Sequence, residues 1–153
     1  MRTKDSNMKH KVFLLIGYIL FALYLMLLID LLFFDGRSGG VKDYNLVPFR
    51  TIKNYIKYRH VIMNVSITNI VGNILAFIPL GFFVPTLWRW ARWMIITTIF
   101  CGLMSFIVEI TQYRYSVGRF DVDDIILNTL GGLIGYMVYK LCRLFYTCFL
   151  KGT

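Results

Sequence analysis

The stretch Phe106–Tyr136, FIVEITQYRYSVGRFDVDDIILNTLGGLIGY, carries four of the chain's eight acidic residues between two apolar runs. Glu109, Asp121, Asp123 and Asp124 stand at the mouths of those runs. Carboxylates there are costly to desolvate, so they need a compensating partner or a function. Glu109, Gln112 and Tyr113 fall at i, i+3 and i+4, which places them on one helix face. Ser116-Val117-Gly118 reads as a turn. Asp121 then caps a new helix, with its carboxylate at the positive end of the helix dipole. Asp124 and Asn128 follow at steps of three and four, and Gly132 and Gly135 extend roughly the same stripe. A stripe that is polar at the mouth and small deeper in predicts a face turned toward the bundle, with another helix close against it. The expectation is that Glu109 and Asp124 face each other across a helical hairpin, with Arg119 or Arg114 as counter-ion.

Outward from that hairpin the chain divides into apolar runs long enough to span a bilayer, which takes about 20 residues. The first covers Val12–Phe34 and follows Arg2, Lys4, Lys9 and Lys11. Its apolar part exceeds a signal-peptide core and no small-residue cleavage site follows, so it reads as an uncleaved anchor. Asp30, near its far end, reads as a solvated acid at the interface. Asp35–Gly40, DGRSGG, is a turn-rich break. In the segment 46–59, Phe49, Ile52, Tyr55 and Ile56 recur on one side and Arg50, Lys53, Asn54 and Lys57 on the other. That pattern predicts a basic amphipathic helix in the interface, or a re-entrant element packed on the bundle. Pro48 disfavours helix at Val47. A second span covers about 62–84, with Asn69 and Asn73 one turn apart and Pro79 and Pro85 around its far half. Trp88, Arg89, Trp90, Arg92 and Trp93 form a connector of aromatic and basic anchors. The third and fourth spans cover about 94–112 and 124–150. The fold expected is an all-α membrane protein, one domain over 1–153, with four transmembrane helices and a short interfacial or re-entrant helix after the first.

Composition agrees. Apolar residues make up 58% of the chain and the mean hydropathy is +0.62, above the roughly 45–50% apolar content of soluble domains. The net charge of +9 does not signal nucleic acid, because Lys and Arg lie mostly in the gaps between apolar runs, as membrane anchoring requires. Cys101, Cys142 and Cys148 have no metal-binding spacing and read as small buried hydrophobes. His60 is read as a solvated loop histidine.

Three motifs carry a resemblance. Glu109-x-x-Gln112 is followed by Gly118-Arg119-x-Asp121-x-x-Asp124-x-x-x-Asn128-Thr129-x-Gly131-Gly132. Upstream stand Asn45-Leu46-Val47-Pro48-Phe49 and the run from Asn73 to Gly81, NILAFIPLG. In order and spacing the set resembles the VanZ-like family. The resemblance implies a small bacterial integral membrane protein, the namesake being associated with resistance to the glycopeptide teicoplanin, and brings no settled mechanism with it.

The Lys and Arg residues divide almost evenly between the two sides. The four before the first span, against Arg37 and Lys42 after it, favour a cytoplasmic N-terminus. Four spans in the bacterial cytoplasmic membrane then leave both termini inside and bring Asn45, Asn73 and Asn128 near the outer face. Candidate binding residues are Asn45, Arg50, Asn73, Glu109, Gln112, Arg119, Asp121, Asp124 and Asn128. The expected partners are membrane lipids, a lipid-linked cell-wall precursor or a glycopeptide, with no cofactor. Arg50, Lys53, Lys57 and Arg59 could hold phosphate by charge and hydrogen bonds. The reading favours a non-enzymatic protein, while the acids could also only hold the hairpin together. The alternative is an enzyme acting on a lipid-linked pyrophosphate, with Mg²⁺ held by Asp121, Asp124 and Glu109. No nucleophile or HExxH-type motif accompanies those acids. A coupled transporter is disfavoured by four spans without an internal repeat.

Overall fold

In the computed structural model the described residues are 2–33 and 43–150, the side chains of 2–7, 9–10, 59–67 and 149–150 excepted. The break at 35–40, with Arg37, and Lys42 lie outside them. So do the side chains of Arg59 and His60.

Apolar length decides the main elements. Helix α1 is Arg2–Phe33, α3 is Arg59–Leu87, α4 is Met94–Arg114 and α5 is Val122–Phe145, continued by a π-helical turn over Tyr146–Leu150. Within them Lys11–Phe33, Thr68–Leu87, Met94–Arg114 and Val122–Cys148 are long and apolar enough to cross a membrane. The chain is an all-α membrane protein. Helix α2, Arg50–Lys57, is the short element after the first span. It begins only after the Val47-Pro48-Phe49 turn, as Pro48 requires, and Phe49 itself is left-handed at φ 63.

Helices α3 and α5 form the centre, and glycine makes their approach possible. A Cβ added to Gly131 would lie 2.2 Å from the Ile74 carbonyl oxygen, and one on Gly135 only 2.0 Å from that of Ile78. Gly81 faces Gly132 in the same way from the α3 side, and Gly132 also meets Cys101 of α4. The small-residue stripe expected on α5 is therefore its packing face. Pro79 and Pro85 lie inside α3. Pro79 has no N–H for the Leu75 carbonyl one turn back, and beside that gap the Tyr24 hydroxyl donates to the Ala76 carbonyl at 2.8 Å. Tyr24, Phe21 and Phe83 pack there, and Leu28 and Leu32 bury the same side of α1. The other faces of α1 expose Phe13, Leu15, Ile19, Leu23, Met26 and Leu27. Asp30 is exposed. Cys101 is buried, but Cys142 and Cys148 are exposed on the outside of α5 and its extension. For those two the expectation of burial does not hold, because they lie on the side of α5 and its extension turned away from the other described helices.

The two ends differ. At one end, a 3₁₀ turn over Arg89–Arg92 joins α3 to α4, and Thr97 Oγ1 and the Tyr136 hydroxyl donate to the Ala91 and Arg92 carbonyls. Trp90 and Trp93 are exposed there, as an aromatic belt requires. At the other end lies a small feature the sequence did not reveal. Strand β1, Tyr44–Asn45, pairs in parallel with β2, Phe120–Asp121, setting Asn45 opposite Asp121.

Candidate functional site

The polar end is built from the turn after α4 and the first turn of α5. Helix α4 closes with Ser116 left-handed at φ 58, its N–H donating to Tyr113 O and that of Val117 to Gln112 O. That is a Schellman closure, with serine where glycine is usual. The chain then runs through β2 to Asp121, which caps α5 as expected: its carboxylate accepts from the Asp123 amide at 3.0 Å. Glu109 Oε2 accepts from the Asp121 amide at 2.9 Å, so α4 holds the cap residue in place.

Asp121 is fully buried and is the hub of the end. Its Oδ1 also accepts from Asn45 Nδ2 at 2.9 Å, and its Oδ2 from Thr51 Oγ1 at 2.7 Å and Arg119 Nη2 at 2.9 Å. Asn45 Nδ2 reaches Thr51 Oγ1 as well, while Asn45 Oδ1 accepts from the Val47 amide. Asp123, equally buried, does something the sequence reading missed. Its Oδ1 accepts from the Phe49 amide at 2.5 Å, and its Oδ2 from the amides of Thr51 and Ile52 at 2.7 and 3.1 Å. A carboxylate from α5 thus caps α2, neutralising the positive end of that helix dipole. The signal was available: α2 has no acid in its first turn, and Phe49 at the cap position has no side-chain acceptor. Thr51, also missed, is buried between both carboxylates.

The remaining candidates are placed separately. Asp124 Oδ1 accepts from Asn73 Nδ2 at 2.7 Å, joining α5 to α3. Asn128 Nδ2 donates to Ser105 Oγ at 2.8 Å, joining α5 to α4. Gln112 Nε2 donates to the Leu32 carbonyl at 2.7 Å and ties down the end of α1. Asn69 Nδ2 donates to the Tyr55 hydroxyl at 2.9 Å. Among these bonds Glu109 meets the Asp121 amide, Asp124 meets Asn73 and Asn128 meets Ser105. Arg119, expected with Arg114 as one of two candidate counter-ions for Glu109 and Asp124, pairs with Asp121. Two residues of extended backbone put its guanidinium back over the cap carboxylate.

Of the acids named for Mg²⁺, Asp121 sits at the hub, Glu109 accepts from its amide and Asp124 accepts from Asn73. Among the described residues no three acidic, histidine or cysteine side chains are grouped to hold a metal. Asp121 already accepts from Asn45, Thr51, Arg119 and the Asp123 amide, so its oxygens are committed to donors that a cation would have to displace. The phosphate expectation narrows. Beside the hub opens a cleft of about 250 Å³ lined by Asp43, Tyr44, Asn45, Arg50, Thr51, Asn54, Tyr55 and Arg119. Of the basic residues in α2 only Arg50 lines it, since Lys53 and Lys57 face away and Lys57 lies over the Tyr58 ring. Arg119, from outside α2, supplies the second cation. Helix α2 turns Thr51, Ile52 and Tyr55 inward and leaves Phe49 and Ile56 exposed.

These features define a four-span membrane protein with a hydrogen-bonded acidic hub and a small cleft at one end. The VanZ/LLP1 family profile matches residues 21–143, and the chain belongs to that family. It is similar to Protein VanZ of Enterococcus faecium, 29% identical over 129 residues that cover 80% of this chain and 72% of that protein. No solved structure matches it.

Proposed function

We propose that the chain sits in the bacterial cytoplasmic membrane with both termini inside and its polar end outward. There it engages an envelope lipid or a lipid-linked cell-wall precursor, and so contributes to glycopeptide resistance of the teicoplanin type. The observation that carries this reading is the cleft beside the Asp121 hub: an open polar recess on the end of an otherwise apolar bundle, with exposed Leu46, Val47, Phe49 and Ile56 in the same segment of chain as its lining residues. Glu109 holds the Asp121 amide behind it, Asp124 and Asn128 tie α5 to α3 and α4, and Arg50, Asn54 and Arg119 face the ligand. The relative's name supports the resistance link and the arrangement of the end supports a binding role; neither calls for turnover.

Two measurements test it. Cells expressing the chain should lose teicoplanin susceptibility, and Asn54→Trp, which fills the cleft from an exposed position, should restore susceptibility at unchanged membrane abundance. Resistance that persists in Asn54→Trp would overturn the role of the cleft. In a background with the native cysteines removed, Tyr115→Cys should react with an impermeant reagent from outside and Arg89→Cys should not. The reverse labelling would put the polar end in the cytoplasm.

A further inference from the structure

We propose that the cleft is a site for the phosphate of a single amphiphile headgroup, with Arg50 and Arg119 as its two cationic walls. The proposal rests on the lipid-engaging reading above and names the chemical group that reading leaves open. Arg119 is set for the task before any ligand arrives. Both of its hydrogen bonds, to Asp121 Oδ2 and Thr51 Oγ1, leave from Nη2. Among the described residues its Nε and Nη1 donate to nothing. A guanidinium has five N–H donors in a rigid fork, so a fixed Nη2 leaves the rest aimed as a unit, the geometry that suits phosphate. Arg50 stands on α2, is exposed, and has no ion-pair partner among the described residues. Tyr44, Asn54 and Tyr55 add neutral polar groups to the lining.

Charge alone does not make this a trap for free phosphate. Asp43 also lines the cleft, and Asp121 lies behind Arg119, so the two guanidiniums are partly offset. Exposed apolar side chains supply what charge does not. Tyr44 lines the recess, and Leu46, Val47, Phe49 and Ile56, chain neighbours of its lining residues, are like Tyr44 more than half exposed, which suits the boundary between headgroups and acyl chains. An amphiphile reaches this site with its chains already in the bilayer, whereas a free anion gains nothing from those side chains. The volume, about 250 Å³, lies below the roughly 300–1,000 Å³ of sites for drug-sized ligands. It suits one headgroup phosphate, not a whole precursor.

The test is native mass spectrometry of the full chain released from dodecyl maltoside, titrated separately with phosphatidylglycerol, a polyprenyl diphosphate, diacylglycerol and inorganic phosphate. One equivalent of a phosphate-bearing amphiphile should bind, with Arg50→Gln weakening it about tenfold and leaving diacylglycerol unchanged. Arg119→Gln should weaken it at least as much, and Arg50, whose side chain makes no hydrogen bond or ion pair among the described residues, keeps the test valid if Arg119→Gln unfolds. The tighter of the two amphiphiles identifies the source of the phosphate. Inorganic phosphate binding as tightly as either amphiphile would overturn the proposal, as would indifference to Arg50→Gln. If diacylglycerol and phosphatidylglycerol bind equally and Asn54→Trp blocks both, lipid engagement stands and the phosphate assignment falls. If Asn54→Trp blocks neither, both fall.

Discussion

At Gly135 a side chain would begin 2.0 Å from a backbone oxygen of α3, while at Asp123, roughly three turns earlier on the same helix, a carboxylate gathers three backbone N–H groups from Phe49 and the first turn of α2. Both positions are buried and both face another helix. The waist is held by shape: two backbones meet where no side chain intervenes, and nothing there can adapt. The polar end is held by charge and hydrogen bonds between short segments that could separate and be solvated. The waist should therefore fail globally when perturbed, and the polar end locally.

The largest effect is expected from Gly135→Val. Overpacking a core costs about 1–3 kcal/mol where neighbours can shift, and here the obstacle is backbone, so at least about 3 kcal/mol is expected. Thermal unfolding in detergent should show it, with little folded protein recovered. Gly72→Ala is the control, since its added Cβ meets nothing among the described residues and the helix gains roughly 0.5–1 kcal/mol from losing a glycine. Equal damage from both changes would break the distinction.

Next comes Asp123→Ala, which removes the acceptor of three amides. Hydrogen bonds to a charged group contribute about 1.5–3 kcal/mol each, but α2 can undock and let water take the amides. Amide exchange should rise across residues 49–57 while exchange in α3 and α5 near Gly135 stays slow. Global loss of protection would mean that the polar end, too, is part of the cooperative core.

Tyr24→Phe is intermediate, removing the hydroxyl bonded beside the Pro79 gap and leaving the ring packing. A loss of about 1 kcal/mol is expected, in line with side-chain hydrogen bonds inside membranes. A loss several times larger would mean that the α1 attachment depends on that bond more than on ring contacts.

The smallest change is Ser116→Gly. A non-glycine residue in the left-handed region costs roughly 1 kcal/mol, partly cancelled by the greater freedom of glycine in the unfolded chain. A thermal midpoint equal to or slightly above that of the parent is expected, and a marked loss would show that the Ser116 side chain matters to the end.

Local signals were legible where neighbouring residues decide the outcome. The Asp121 cap, the Ser116–Gly118 turn, the helix start after Pro48 and the small face of α5 each depend on residues within a turn or two. The stripe Asp121–Asp124–Asn128 did point inward, yet it drew attention to Asp124 and away from Asp123, whose partners lie more than seventy residues upstream. The pairing of Asn45 with Asp121 was equally hidden, because a strand of two residues has no period to read. The motif residues Asn45 and Asp121 were found without any indication that they touch.

The sequence by itself determined that the chain is a bundle of membrane-spanning helices with acids gathered at one end. Hydropathy over about 20 residues, capping and turn chemistry are all properties of contiguous chain. Only the tertiary structure decided which distant donor meets which carboxylate: Asp123 with α2, Asp121 with Asn45, Asp124 with Asn73. Those choices follow from how closely Gly131 and Gly135 let α3 and α5 approach, which sets where α2 lands relative to the first turn of α5. A partner chosen by packing across the bundle leaves no trace in local spacing.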